Sequence, residues 1–325
     1  MVSIQTFARN WRGRNRLKMA QREALQGYLY ITPWIVGFLI FILGPMLVSL
    51  FLSLTEYNIV NSPKFAGLTN YYTLAQDPLF WKSLGNTVYY AFLFVPLNII
   101  GSLGCALLLN QKIRGRSFFR SIFFLPSVTP LVATALLWMW ILQPQVGLLN
   151  YLLSLVGITP GPGWLGSPAW SKPALILMSS WGAIGGGTML IFLAGLQGVA
   201  RELQEAAEVD GAGSWTRFWR ITLPMLSPTM FFNIVLGLIG AFQQFTLAYV
   251  ATSLSGQQFP AGGPLYSTLF YVLNLYQQGF DYWQMGYASA LAWVFLLIVL
   301  IFTFIQLGLA RRWVYYESDS GSTKW

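Results

Sequence analysis

Residues 287–309 read YASALAWVFLLIVLIFTFIQLGL, 23 consecutive residues with no Asp, Glu, Lys or Arg among them. A helix crosses the hydrocarbon core of a bilayer with about 20 apolar residues, so this run is long enough to span. It is apolar on every face and lacks the period-two alternation of a membrane β-barrel strand. In lipid the backbone must satisfy its own hydrogen bonds, which leaves the helix. Working outward, five further runs meet the same test: 29–54, 85–109, 121–141, 174–196 and 229–252. Composition agrees: 55% of the 325 residues are hydrophobic, 9% are charged, and mean hydropathy is +0.56. Those values exclude a water-soluble domain. The predicted fold is an all-α integral membrane protein of six transmembrane helices.

Six spans put both termini on one side, together with the loops joining spans two to three and four to five. Of the 19 Lys and Arg, 16 fall on that side, and only Lys64, Lys82 and Lys172 fall on the other. The positive-inside rule makes the basic side, and hence both termini, cytoplasmic. The same bias accounts for the net charge of +9 without a nucleic-acid partner. Residues 1–27 read as a basic cytoplasmic segment that faces anionic lipid. Residues 28–313 form the transmembrane body, and 314–325 a polar tail. The apolar run after the basic segment is too long for a signal peptide and lacks a small-x-small cleavage site, so it reads as an uncleaved first span. Cys105 is the single cysteine, which rules out a disulfide within the chain. The outer segments 55–84, 142–173 and 253–286 are rich in Gly, Pro, Asn and aromatic residues. They have room for short helices or small lids, not for a catalytic domain.

The densest acidic patch in this apolar chain is Glu205-Ala206-Ala207-Glu208-Val209-Asp210-Gly211, followed at a fixed distance by Ile221-Thr222-Leu223-Pro224. Within the cytoplasmic loop 199–228, Val199, Leu203, Ala206, Ala207 and Asp210 share one side at helical spacing, while Arg201, Glu202, Glu205 and Glu208 point elsewhere. Asp210-Gly211 signals a turn, because glycine tolerates the positive φ a reversal needs. Ser214 is placed to cap a second short helix, with Trp215, Phe218, Trp219 and Thr222 on one face, and Pro224 and Pro228 end it. A plain solvated connector has no use for two alanines beside a glutamate and three large aromatics close together. Small residues admit another helix at close range, and exposed aromatics anchor an interface.

This patch resembles the EAA signature of ABC importer permeases, in the spacing from Glu to Gly and on to Ile-x-Leu-Pro. The resemblance implies a type I importer permease fold in which the loop docks in a cleft of a cytoplasmic ATPase. The coupling residues would be Glu205, Ala206, Ala207, Asp210, Gly211, Ile221, Leu223 and Pro224, with Glu205 in a charged contact and Gly211 setting the bend. Phe65-Ala66-Gly67-Leu68-Thr69-Asn70-Tyr71, Phe80-Trp81 with Asn86-Thr87, Phe118-Phe119-Arg120 through Leu125-Pro126, and Gly262-Gly263-Pro264 with Thr268, Phe280, Gly286 and Ala288 occur in the order seen in the carbohydrate-importing branch. That likeness extends from Tyr28 to Trp313. It implies a half-transporter working with a second homologous permease in a heterodimer, two ATPase subunits and an extracytoplasmic solute-binding protein, on a sugar or related polyol.

No Gly-x-x-x-x-Gly-Lys-Ser/Thr loop occurs; Gly185-Gly186-Gly187-Thr188 lacks the lysine and fits close helix packing. ATP is therefore expected on the partner ATPase, with no cofactor or metal called for in this chain and no catalytic residue. There is no His, and no charge lies deep in any span, so a proton relay has no residues to run on. For the substrate pathway the neutral polar and aromatic residues of the fifth span stand out: Asn233, Phe242, Gln243, Gln244, Phe245 and Tyr249. They offer hydroxyl-binding amides and ring-stacking faces; the alternative for each alone is helix bridging or packing. Two adjacent buried amides at 243–244 need partners, which favours a cavity there. The competing reading of the whole chain is a non-transporting membrane scaffold that docks an ATPase.

Overall fold

A computed structural model describes residues 3–253 and 261–315. Most of the expected polar tail, and residues 254–260 of the third outer segment, lie outside the described residues. Helix α1 (Ser3–Phe38) carries the basic segment into the first span without a break. It passes through a π turn, Leu39–Leu43, into α2 (Gly44–Ser53). Pro45 explains the π turn: an α-helical proline would meet the carbonyl four residues back, and the wider turn relieves that contact.

On the outer side a small hairpin pairs β1 (Thr55–Glu56) with β2 (Lys64–Phe65), Thr55 opposite Phe65. Helix α3 (Thr69–Gln76) follows, and then α4 (Pro78–Asn110), whose start is built as sequence rules prescribe. Asp77 accepts from the Leu79 N–H at 2.8 Å, and Pro78 occupies the first helical position. At 33 residues and a 1.5 Å rise, α4 is about 50 Å long. It begins seven residues before the apolar run and stands proud of the bilayer.

The third and fourth spans are not straight helices. Helices α5 (Arg116–Val128) and α6 (Leu131–Ile141) meet at 95°, and, beyond outer helix α7 (Leu148–Leu155), α8 (Ser171–Ala183) and α9 (Gly187–Gly198) meet at 50°. The continuous runs 121–141 and 174–196 read from the sequence are thus each two helices. The first break follows from Pro130, which lacks an N–H and holds Thr129 extended at φ −69°, ψ 130°. The second falls in the triple glycine, where Gly186 adopts φ −84°, ψ −146°. Close packing requires glycine there: a Cβ on Gly185 would overlap the carbonyl oxygen of Phe123 in α5.

The cytoplasmic loop contains α10 (Arg201–Val209), α11 (Ser214–Arg217), a π turn at Phe218–Thr222 and α12 (Leu223–Met225). The fifth span is α13 (Ser227–Phe242) continued by α14 (Thr246–Ser253), with residues 243–245 between them. After α15 (Tyr271–Tyr276) and a π turn at Gln277–Asp281, the last described helix is α16 (Met285–Trp313). Among the described residues four helices are long and apolar enough to span, and the two bent pairs bring the total to six, by length and composition.

Helix α4 is the hub. Its stripe Tyr90, Val95, Ile99, Leu103 and Ala106 is buried against α8, α9 and α13, where Met178, Met189, Phe192 and Leu193 are fully enclosed. The buried Ser83, Asn86, Thr87, Asn98 and Ser102 of the same helix all take part in hydrogen bonds. Ser102 donates to the Ile184 carbonyl at the glycine break at 2.9 Å, and Asn86 donates to the carbonyls of Tyr266 and Leu269 at 2.9 and 3.0 Å. These bonds tie both the broken fourth span and the outer loop to one rigid rod.

Candidate functional site

Two features stand out, one on the cytoplasmic face and one at membrane depth. No residue of α10 is buried. Glu205, Ala206, Asp210 and Gly211 are exposed, Ala207 is half-buried, and Val209 is 89% exposed. The turn that ends α10 is a Schellman motif. Gly211 sits at φ +77°, Ala212 N–H donates to Ala207 C=O at 2.8 Å, and Gly211 N–H donates to Glu208 C=O at 3.0 Å. Glycine is needed at 211 because its φ is left-handed.

Across the turn, Arg217 pairs with Glu208 and its other terminal nitrogen donates to Ser214 Oγ at 3.3 Å. Ser214 does not cap α11; Gly213 occupies the cap position without a side-chain bond, and Ser214 is drawn to Arg217 instead. Pro224 and Pro228 do not end the helix either. Each sits in the first turn of the next helical segment, where a missing N–H costs nothing, and the π turn at Phe218–Thr222 leads into them.

The loop divides into an exposed tip and a buried root. Trp215, 73% exposed, and Trp219, 51% exposed, stack edge-on at 5.7 Å. Phe218 is half-buried, and Thr222 and Leu226 are buried. Ile221 and Leu223 are half-buried, Leu223 against the main core, and Pro224 is exposed. Ser227 Oγ donates to the Pro224 carbonyl at 2.6 Å and accepts from Tyr315 N–H at 2.8 Å, joining the root to the end of α16. The root is thus bonded to both the start of α13 and the end of α16.

At membrane depth a cavity of about 270 Å³ opens where the helix breaks converge. Thr129 and Thr134 flank the α5–α6 bend, Ser179 and Gly182 precede the α8–α9 break, and Gln244 lies between α13 and α14; Tyr90 and Phe94 of α4 form the remaining wall. Irregular backbone at this depth is tolerated where it lines a cavity or is enclosed by protein. Gln244 Nε2 donates to Ser179 Oγ at 3.4 Å, a long bond that leaves the amide's remaining capacity to the cavity.

Of the six pathway residues expected from sequence, Gln244 lines this cavity. Gln243 is exposed on another face. Asn233 is buried and donates to the Thr229 carbonyl of its own helix at 2.9 Å, and Phe242 is enclosed beside Phe302 with centroids 5.1 Å apart. Phe245 and Tyr249 stack at 5.4 Å and continue through Tyr276 to Phe280, a run of rings that ends at an exposed edge. The cavity's hydroxyl lining escaped the sequence reading. Its signal was Thr129-Pro130, a helix breaker flanked by hydroxyl residues inside an apolar run.

With this geometry in place, comparison with known proteins is specific. Residues 98–315 match the family of binding-protein-dependent transport system inner membrane components. The chain is 43% identical over 300 residues to the probable ABC transporter permease protein YesP of Bacillus subtilis, covering 92% of this chain and 94% of that one. It is 36% identical to the lactose transport system permease protein LacF of Rhizobium radiobacter, covering 92% and 98%. The trehalose/maltose transport system permease protein MalF of Thermococcus litoralis is 34% identical, covering 90% and 96%. A crystal structure of a bacterial ABC transporter involved in the import of the acidic polysaccharide alginate superposes with a TM-score of 0.76 at 25% identity, covering 91% of this chain and 99% of that one.

Proposed function

The chain belongs to the family of binding-protein-dependent transport system inner membrane components, and we propose that it forms half of the translocation pathway for a sugar or related polyol. It is a multi-pass inner-membrane permease of an ABC importer, and its role is transport. A second homologous permease supplies the other half, two ATPase subunits drive the pair, and an extracytoplasmic binding protein delivers the substrate. Relatives named for lactose, trehalose/maltose and arabinooligosaccharides support the sugar reading. The observation that carries it is the cavity at three helix breaks, where hydroxyls, one amide and two rings are set among apolar side chains such as Leu131, Met178 and Leu247. Neutral donors and acceptors beside aromatic faces suit a polyhydroxylated solute.

In this reading the exposed tip docks in the ATPase. Glu205 makes a charged contact, Ala206 and Ala207 admit the ATPase surface at close range, and Asp210-Gly211 fixes the turn. Closure of the ATPase dimer displaces the tip, and Ile221, Leu223 and Pro224 at the root pass the displacement to α13 and α16. The bent spans rock, and the cavity alternates between faces. Gln244, with Ser179 beside it, holds substrate hydroxyls. The aromatic run Phe245–Tyr249 lies along the route, Phe242 and Asn233 support it from behind, and Gln243 lies outside the cavity on another face.

Gln244→Leu tests the pathway assignment. A neutral hydrogen bond contributes about 0.5–1.5 kcal/mol, so KM for uptake is expected to rise by about 2- to 10-fold while the amount of assembled permease stays unchanged. Identical uptake kinetics across a panel of neutral sugars would remove Gln244 from the pathway.

A further inference from the structure

We propose that Lys172, with Lys82 beside it, makes the outer end of this pathway selective for saccharides that carry a carboxylate or comparable acidic group. The inference rests on the sugar-permease reading and narrows its substrate class. Of the three cations on the outer side, these two come together at the mouths of α8 and α4, close enough for their charges to repel. Lys172 is half-buried and turned inward. Its ammonium donates to Asn86 Oδ1 at 3.1 Å and lies 4.9 Å from the centre of the Tyr89 ring. Asn86 cannot swing away, because its Nδ2 is committed to the carbonyls of Tyr266 and Leu269. The cation is thus held at a fixed point.

A lysine at the end of a span ordinarily extends its head toward lipid headgroups and water. Lys172 does the opposite and reaches across to a buried amide on α4. Among the described residues the one ion pair is Arg217 with Glu208 on the far side of the membrane, so Lys172 has no carboxylate partner there. An ammonium has three donors; one is used on Asn86, the charge also faces the Tyr89 ring, and no carboxylate neutralises it. A half-buried cation held in place without a counter-charge is favoured by an anion that reaches it.

Its position says which anion. Asn86, Tyr90 and Phe94 follow at four-residue steps on one face of α4, and Lys172 and Ser179 lie two turns apart on one face of α8. Tyr90, Phe94 and Ser179 wall the cavity, and the Tyr90 hydroxyl faces Ser179. By helical rise the ammonium sits about 6–10 Å outward of that contact, roughly one sugar ring above the cavity. A uronic acid unit entering ahead of, or behind, a ring held at Gln244 would bring its carboxylate to Lys172. Two like charges at the mouth of a low-dielectric cleft also concentrate anions there.

The test is uptake by the full assembly, both permeases with the ATPase and binding protein, in proteoliposomes. The probes are digalacturonate and diglucuronate, each beside its neutral disaccharide counterpart. Accumulation of a uronate-bearing sugar is expected, with a drop of about 10-fold or more in Lys172→Gln, the scale of one charge-assisted hydrogen bond. Glutamine retains a donor for Asn86, so assembly and ATPase activity should hold. Lys172→Arg should keep most uptake, and Lys82→Gln should lose less than Lys172→Gln. Accumulation of neutral sugars only, or equal losses for both classes in Lys172→Gln, would overturn this inference and leave the sugar-permease reading standing. Accumulation of no sugar of either class would overturn both.

Discussion

Gly211→Val is expected to cut sugar uptake about 10-fold or more while the permease reaches the membrane in normal amount. Nothing lies within 4 Å of a Cβ at this position, so the neighbours do not object to the side chain. The backbone does: at φ +77° an L-residue costs roughly 1–2 kcal/mol, and a β-branched one is a genuine outlier there. Relaxing that strain undoes the two Schellman bonds and moves Glu208 off Arg217, so the tip presents the wrong surface to the ATPase. The rest of α10 makes no buried contact that would be lost, so folding of the spans is spared. Gly211→Asn is the control, since asparagine tolerates the left-handed region, and it should retain most uptake. Transport per permease in inverted and right-side-out vesicles measures both. Wild-type uptake by Gly211→Val at normal abundance would sink the coupling role of this turn.

The largest effect on the amount of protein is expected at Gly185. Here an added Cβ meets the carbonyl of Phe123, which is backbone and cannot rotate aside. Gly185→Val must therefore part α5 from the α8–α9 break, an overpacking cost of about 1–3 kcal/mol or more. Because the cavity is walled by the same two segments, the separation removes the pathway as well. Membrane-inserted, heat-resistant permease should fall several-fold, and Gly187→Ala, which has open space for its methyl group, should not. Equal levels and thermal midpoints for Gly185→Val and the native protein would contradict the packing account.

These two positions also show what a sequence can disclose. Gly211 is legible because a turn between two amphipathic segments is a local problem with a local solution. The triple glycine was legible as a packing site for its missing lysine and its place in a span, but not as a bend. Its companion bend at Thr129-Pro130 was hidden by hydropathy, which averages over a proline in an otherwise apolar run. The convergence of three breaks at one depth is a tertiary fact, and it decides which polar residues face a cavity. That is why Gln244 was recoverable from its buried amide while Ser179 and Thr129 were not. Asn233 illustrates the converse: a lone amide in a span can be satisfied by its own helix, as its bond to Thr229 shows. Ser214 and the loop prolines show the limit of capping rules, since an arginine nearby and a π turn redirected both.

The central claim is that this chain converts ATP hydrolysis on another subunit into sugar movement through its own cavity. The most direct measurement is binding-protein-dependent accumulation of labelled sugar in proteoliposomes containing this chain, the second permease, the ATPase and the binding protein, with each omitted in turn. Accumulation above the external concentration only in the complete mixture, lost on ATP depletion, is the predicted result. ATP hydrolysis that this chain stimulates without any sugar accumulating, as a docking scaffold would give, is the result that would contradict it.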